Sequence, residues 1–187
     1  MRIALFGGSF NPPHLGHELA GLYVLETAGV DELWLMPTFQ HPFDKELLPF
    51  EDRLAMCRLA AAALGPRARV TDIERELGDE SRTLRTVRAL QARHPEHQFA
   101  LVIGADLVEE TATWYGGEEL RATVPFIVVG RAGHSAGPGA SAVEMPAVSS
   151  TEIRRALAAG QPVTGLVSRA VLDYIRARGL FGARHPT

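Results

Sequence analysis

Three observations predict a doubly wound, parallel α/β fold for this chain, a Rossmann-like sheet of five to six strands closed by C-terminal helices. Short apolar runs alternate with segments of helical spacing, and several of these runs are apolar throughout rather than at every second position. Strands covered on both faces require such continuous runs, and βαβα alternation yields parallel neighbours. Lastly, the most unusual turns follow strand candidates rather than precede them. The 187 residues suit one domain, 1–187, and a hydrophobic fraction of 46% is enough for a real core.

The elements follow in order. Ile3-Ala4-Leu5-Phe6 marks a first strand at 2–6, and the segment 15–28 reads as the first helix. A second strand at 32–36 leads to a helix at 50–64, and a third at 69–73 leads to a helix at 83–93. The fourth strand, 99–103, is followed by a helix at 106–113; the fifth lies at 126–129 and a weak sixth near 142–145. Two helices end the chain, at 151–159 and 168–178, parted by Gly160-Gln161-Pro162. The Gly/Ala/Ser/Pro stretch 132–142 reads as a flexible loop too short to link domains, and residues 182–187 are expected to fray. Ligands of such sheets bind beyond the carboxyl ends of the strands, where strand order reverses. That rule puts residues 7–17, 37–45 and 104–106 on one rim.

Composition narrows the function. A charged fraction of 22% and a net charge of −3 give no broad nucleic-acid footprint and no basic membrane-surface helix. No apolar stretch approaches a membrane span, and residues 1–10 do not resemble a signal peptide, so a cytoplasmic protein without membrane or nucleic-acid partners is expected. Cys57, the single cysteine, reads as a small buried hydrophobe. Lys45 is the only lysine, all other basic residues being arginine. It is either a surface residue spared by a bias toward arginine or a position that wants a compact ammonium. The oligomeric state is left open, a homodimer being one option.

The first turn reads Gly7-Gly8-Ser9-Phe10-Asn11-Pro12-Pro13-His14-Leu15-Gly16-His17. It has neither the GxGxxG spacing nor the Gly-Lys-Ser/Thr of the common phosphate loops. Gly7 and Gly8 allow close backbone approach, Asn11 reads as an N-cap and Pro12 as the first helical residue, with free amides and the positive end of the dipole facing the rim. His14 and His17, three apart, share a helical face and read as phosphate donors, as a metal-binding pair lacking a third ligand, or as ordinary histidines. Gly16, destabilising by ~1 kcal/mol inside a helix, implies that something packs against its bare backbone. Near the C-terminus, Val148-Ser149-Ser150-Thr151-Glu152-Ile153-Arg154-Arg155 contains a capping box, Ser149 with Glu152. The box leaves Arg154 and Arg155 unexplained, because cations in a first turn oppose the dipole and a bound polyanion would reverse that sign.

These residues carry a resemblance. The first stretch resembles the signature of the nucleotidyltransferases with an HxGH motif, here His14-Leu15-Gly16-His17. The stretch from Val148 to Arg154 is similar to their second motif, ISSTxIR, with valine for isoleucine. Within that superfamily the chain looks most like the bacterial nicotinate-nucleotide adenylyltransferases. Ile103-Gly104-Ala105-Asp106, the pair Trp114-Tyr115 eight residues after that aspartate, and a lysine in the loop after the second strand add to the likeness. Two departures stand beside it. Ser81-Arg82-Thr83-Leu84-Arg85-Thr86 carries arginines where the family pattern SYTxDT has tyrosine and aspartate, and the loop 41–45 lengthens a PPHK-like pattern.

The resemblance implies an enzyme of NAD biosynthesis that joins ATP and nicotinate mononucleotide into nicotinate adenine dinucleotide and pyrophosphate. It implies ATP contacts from Gly7, Gly8, Ser9, Phe10, Gly104, Asp106, Ser150, Thr151 and Arg154, with His14, His17, Lys45 and Arg154 acting catalytically. Asn11, Lys45, Thr83, Trp114 and Tyr115 would hold the mononucleotide, Trp114 by stacking unless it is simply core. Arg82 and Arg85 read as added positive potential or as a solvated helix face. No metal ligand is expected from the chain, Mg²⁺ arriving with ATP. Alternatives are adenylyl transfer to nicotinamide mononucleotide or phosphopantetheine, a non-catalytic nucleotide-binding module, and a zinc protein using His14 and His17.

Overall fold

The structure, a computed structural model, describes residues 1–40, 47–78, 81–132 and 143–183. Six parallel strands form one sheet in the order β3-β2-β1-β4-β5-β6: β1 Arg2–Gly8, β2 Glu32–Pro37, β3 Ala68–Val70, β4 Gln98–Gly104, β5 Phe126–Arg131 and β6 Glu144–Met145. From β1 the chain builds outward one way through β2 and β3, then returns to add β4, β5 and β6 on the other side. Strand order therefore reverses between β1 and β4, and the carboxyl ends of those two strands, Gly7-Gly8 and Gly104, mark the crevice.

The apolar runs are buried on both faces, as their composition requires. Ala4, Leu33, Leu35, Val102 and Val129 pack against helices α1 (Leu15–Thr27), α2 (Phe50–Leu64), α6 (Ser150–Ala158) and α7 (Arg169–Ala177). Their neighbours Ile3, Leu5, Met36, Phe99, Leu101 and Ile103 face α3 (Ile73–Leu77), α4 (Thr83–Arg93) and α5 (Gly117–Thr123). Cys57 is fully buried in the first core, where burial pushes its thiol far above the ordinary value, so the reading as a small hydrophobe holds.

Three expectations are corrected. The third strand ends at Val70, and Ile73 opens α3, because the Thr71 hydroxyl accepts the Ile73 N–H (3.3 Å) and turns the chain. The helix expected at 106–113 is two 3₁₀ turns, Ala105–Leu107 and Glu110–Ala112. There the Thr111 and Thr113 hydroxyls donate to carbonyls three residues back (2.6 and 2.8 Å), while Arg121 takes the Val108 carbonyl from outside (2.8 Å). The third correction is α5 itself, which the sequence reading omitted. The stretch 133–142, most of the expected loop, and residues 184–187 of the expected frayed end lie outside the described residues.

Candidate active site

Gly7 and Gly8 are the last residues of β1, paired with Met36 and Pro37, rather than part of the turn. At Gly8 a Cβ would stand 3.2 Å from the Phe10 ring, which folds back under the strand end. Phe10 adopts φ 45°, a left-handed conformation that strains a residue with a side chain by roughly 1–2 kcal/mol. Its ring, 1% exposed, meets Phe6 and His17 edge-on at 5.8 and 5.0 Å. The Phe10 ring therefore packs beneath the strand end and braces His17.

The start of α1 differs from expectation. His14, not Asn11, is the N-cap, and the helix begins at Leu15. Pro13 disfavours helical geometry at Pro12, and Asn11 is committed elsewhere. Its Oδ1 accepts the Leu48 N–H (3.3 Å) and its carbonyl accepts from Arg154 Nη1 (2.9 Å). The amide of Leu15 goes to the Leu166 carbonyl (2.9 Å), so the first helical N–H is not aimed at the rim. The two imidazoles still come together, stacked at 3.7 Å between centroids. The His14 ring also explains Gly16, where a Cβ would lie 3.1 Å from that ring. The partner against the bare backbone is the first histidine of the motif itself.

One hydrogen bond sets the chemistry of His17. Its Nδ1 accepts the backbone N–H of His14 (3.2 Å). A ring nitrogen that accepts carries no proton, so the proton sits on Nε2 and that atom is the donor. The bond also fixes the ring's orientation, leaving the Nε2 edge as the one presented.

The C-terminal stretch reaches across the chain to this turn. Ser149 is the N-cap of α6, yet its side chain makes no capping bond, so the capping-box account of the motif is not realised. Ser150 Oγ instead donates to the Pro12 carbonyl (2.9 Å), and Arg154 donates to the carbonyl of Asn11 and to Thr151 Oγ1 (3.2 Å). Arg154 is half-buried and Arg155 exposed, so only the former joins the site. The groups gathered are imidazole, hydroxyl and guanidinium, a set of donors without a carboxylate.

On the neighbouring strand, Gly104 stands two residues before Asp106, whose Oδ1 would clash with a Cβ at Gly104. Glycine at 104 thus makes room for the Asp106 carboxylate. Farther along the rim, Trp114 is half-buried against the second core, and Tyr115 is exposed with the Arg82 guanidinium 5.4 Å over its ring. Arg82 is the N-cap of α4, so this contact ties Tyr115 to the start of that helix, which Thr83 opens. A tight turn supports the arrangement, since a Cβ at Gly117 would clash with the Thr111 carbonyl. Lys45, with the rest of 41–46, lies outside the described residues.

Sequence reasoning missed Arg53 and Glu74. Arg53, 1% exposed on α2, donates to the carbonyls of Leu48 (3.0 Å), Ser9 (3.1 Å), Thr38 (2.6 Å) and Phe39 (3.3 Å). Glu74 accepts from the Phe39 amide (3.0 Å), from the Ser81 hydroxyl and from Thr86 (3.4 Å). Burial pulls the guanidinium below its usual value and pushes the carboxyl above the carboxylate range. Between them these two side chains fasten the turn after β1, the start and end of the loop after β2, and the approach to α4. The sequence signal was faint: an arginine amid the apolar residues of one long helix, and a glutamate in a helix of five residues.

Comparisons with known proteins place the chain in a family and agree with the fold. A family model described as cytidylyltransferase-like matches residues 5–156. A probable nicotinate-nucleotide adenylyltransferase of Anaeromyxobacter sp. (strain K) is 53% identical over 96% of each chain. The one of Myxococcus xanthus is 40% identical over 98% of this chain and 96% of its own. Among solved structures, the Plasmodium falciparum nicotinic acid mononucleotide adenylyltransferase complexed with NaAD superimposes with a TM-score of 0.84 over 97% of each chain. At 21% identity that likeness speaks for the fold.

Proposed function

We propose that this chain, which belongs to the cytidylyltransferase-like family and within it to the nicotinate-nucleotide adenylyltransferases, uses the two joined motifs to bind ATP and pass its adenylyl group to nicotinate mononucleotide. A phosphate oxygen of the mononucleotide attacks the α-phosphorus; the bond to the β-bridging oxygen breaks, and its electron pair leaves with pyrophosphate. The nucleophile is already ionised at neutral pH, so no general base is needed. What remains is in-line positioning and neutralisation of developing charge.

The observation that carries this reading is the link between the motifs: Arg154 and Ser150 donate to Asn11 and Pro12, more than a hundred residues earlier in the chain. Held this way, His17 Nε2 donates to an α-phosphate oxygen with His14 beside it. Ser150, Thr151 and Arg154 take the β- and γ-phosphates, and Gly7, Gly8 and Ser9 admit the nucleotide. Asp106, over Gly104, accepts from ribose hydroxyls. Thr83 and Tyr115 receive the nicotinate carboxylate, Trp114 supplies a stacking face, Asn11 fixes the floor, and Lys45 neutralises the mononucleotide phosphate.

Donors without a carboxylate fit a Mg²⁺ carried by phosphates and water rather than by the protein. When bound, the ion would neutralise charge on the triphosphate. The proposed enzyme acts as a single domain on small substrates in the cytoplasm. No helix among the described residues is long and apolar enough to cross a membrane. The test is pyrophosphate release from ATP with nicotinate mononucleotide, nicotinamide mononucleotide and phosphopantetheine supplied in turn. Release with the first acceptor is expected, and release only with another would replace the substrate assignment.

A further inference from the structure

At the opposite edge of the sheet, the four residues His94-Pro95-Glu96-His97 connect α4 to β4. Proline cannot continue the helix, and the chain reverses through a turn closed by the His97 N–H on the His94 carbonyl (3.0 Å). The reversal turns the two imidazoles face to face, 5.4 Å between centroids and within 5° of parallel. Glu96 Oε1 lies between them, 3.6 Å from His94 Nδ1 and 3.4 Å from His97 Nε2. All three donor atoms fall within 4.8 Å of one another.

We propose that His94, Glu96 and His97 form a binding site for a late first-row divalent cation of the zinc type, with one position open to water. Tetrahedral bonds of about 2.1 Å put ligand atoms roughly 3.4 Å apart, so two of the three separations already match and a small rotation of half-buried His94 closes the third. Two imidazoles and one carboxylate are the ligand types such ions take. The ring positions are braced from below. Trp34 meets His94 and His97 edge-on at 5.6 and 6.3 Å, and Phe99 meets His97 at 6.3 Å. The Trp34 indole N–H is fixed on Glu32 (2.8 Å), which pairs with Arg69 (2.7 Å). His97 is mostly covered while Glu96 is 61% exposed, so the frame is rigid and the entrance open.

This site is separate from the nucleotide crevice. The turn adjoins the amino end of β4, and Gly104 ends that strand seven residues on, about 20 Å away at strand spacing. An ion here would staple the end of α4 to the sheet.

The experiment is titration of the chelator-treated full chain with Zn²⁺ by calorimetry, alongside Ni²⁺ titration followed by tryptophan fluorescence. One equivalent of zinc is expected, and Ni²⁺ should quench Trp34, which touches both imidazoles. Glu96→Gln, at an exposed position that does not threaten folding, and His97→Gln should each weaken binding roughly tenfold or more. His14→Ala/His17→Ala should keep the full equivalent, and Trp34→Phe should bind zinc while losing most of the Ni²⁺ quench. Absence of binding by the wild type, or binding abolished by the His14/His17 pair and retained by the His97 variant, would overturn the assignment.

Discussion

Arg53→Leu isolates the frame that holds the rim. The guanidinium is 1% exposed and donates to four backbone carbonyls at 2.6–3.3 Å. It also faces Glu74, which is itself buried. Each hydrogen bond to a charged donor is worth about 1.5–3 kcal/mol, but four that share one side chain do not add. Removing one partner from a buried charge network costs about 3–5 kcal/mol, because the remaining carbonyls and carboxylate lose their compensation. A chain of this size loses about 2–4 °C per kcal/mol, so the melting temperature should fall by roughly 6–20 °C. Arg53→Lys should recover part of the loss, since an ammonium keeps the charge and lacks the fork that reaches carbonyls on separate loops. Thermal unfolding by circular dichroism measures both variants. A leucine variant melting within about 2 °C of wild type would refute the claim that this network fastens the rim.

Three further outcomes follow from the site. His17→Ala should lose on the order of 10²–10³ in kcat while staying folded, checked by steady-state pyrophosphate release and a melting curve. Lys45→Ala should raise KM for the mononucleotide more than KM for ATP, and the mononucleotide should protect the enzyme from an amine-specific reagent; equal protection by ATP alone would return Lys45 to an ordinary surface residue. Glu74 should give a signed pH effect. Burial, only partly offset by Ser81, Phe39, Thr86 and Arg53, raises its folded value, so the folded state holds the proton more tightly and stability falls as pH climbs upward from 4.5, the unshifted value. Glu74→Gln should flatten melting temperature against pH in that window.

Much of the fold was legible because its signals are local. Continuous apolar runs announce strands buried on both sides, and five strand candidates together with a weak sixth fell where strands form. The third strand overran because Ile73 is as apolar as a strand residue, while the hydroxyl of Thr71 that turns the chain is a two-residue effect no period detects. The helix at 106–113 failed for a similar reason: Thr111, Thr113 and the distant Arg121 compete for the carbonyls an α-helix would use. The candidate site divides in the same way. Gly16 and Arg154 stood out as residues whose local cost lacked a local reason, and His14, His17 and Ser150 stood out through the motifs that carry them. Arg53 and Glu74 did not, because their worth lies in contacts between elements far apart in sequence. Asn11 was misread as a cap since its true partners, Leu48 and Arg154, are equally distant.

Acceptor choice is where the two departures from the family pattern matter most, and the geometry favours the acid. Nicotinate mononucleotide should be strongly preferred over nicotinamide mononucleotide, because carboxylate and carboxamide differ in one respect this rim would read: the amide brings donors of its own. Thr83 opens α4, so its amide belongs to the first turn, where backbone donors suit an anion and the helix dipole adds to the attraction. Arg82 replaces the expected tyrosine, and its guanidinium lies over the Tyr115 ring, placing a cation against one of the two proposed carboxylate contacts. An amide bound there would set donor against donor, a mismatch worth several kcal/mol, on the order of 10²–10⁴ in specificity, once the groups are desolvated. Arg82→Tyr, which restores the family residue, should keep the preference for the acid while shrinking it, since the backbone donors remain and the cation is lost. The measurement is kcat/KM for both acceptors at equal ATP and Mg²⁺, in wild type and variant. Comparable values in the wild type would sink the substrate assignment, and an unchanged ratio in the variant would return Arg82 to the solvated face of its helix.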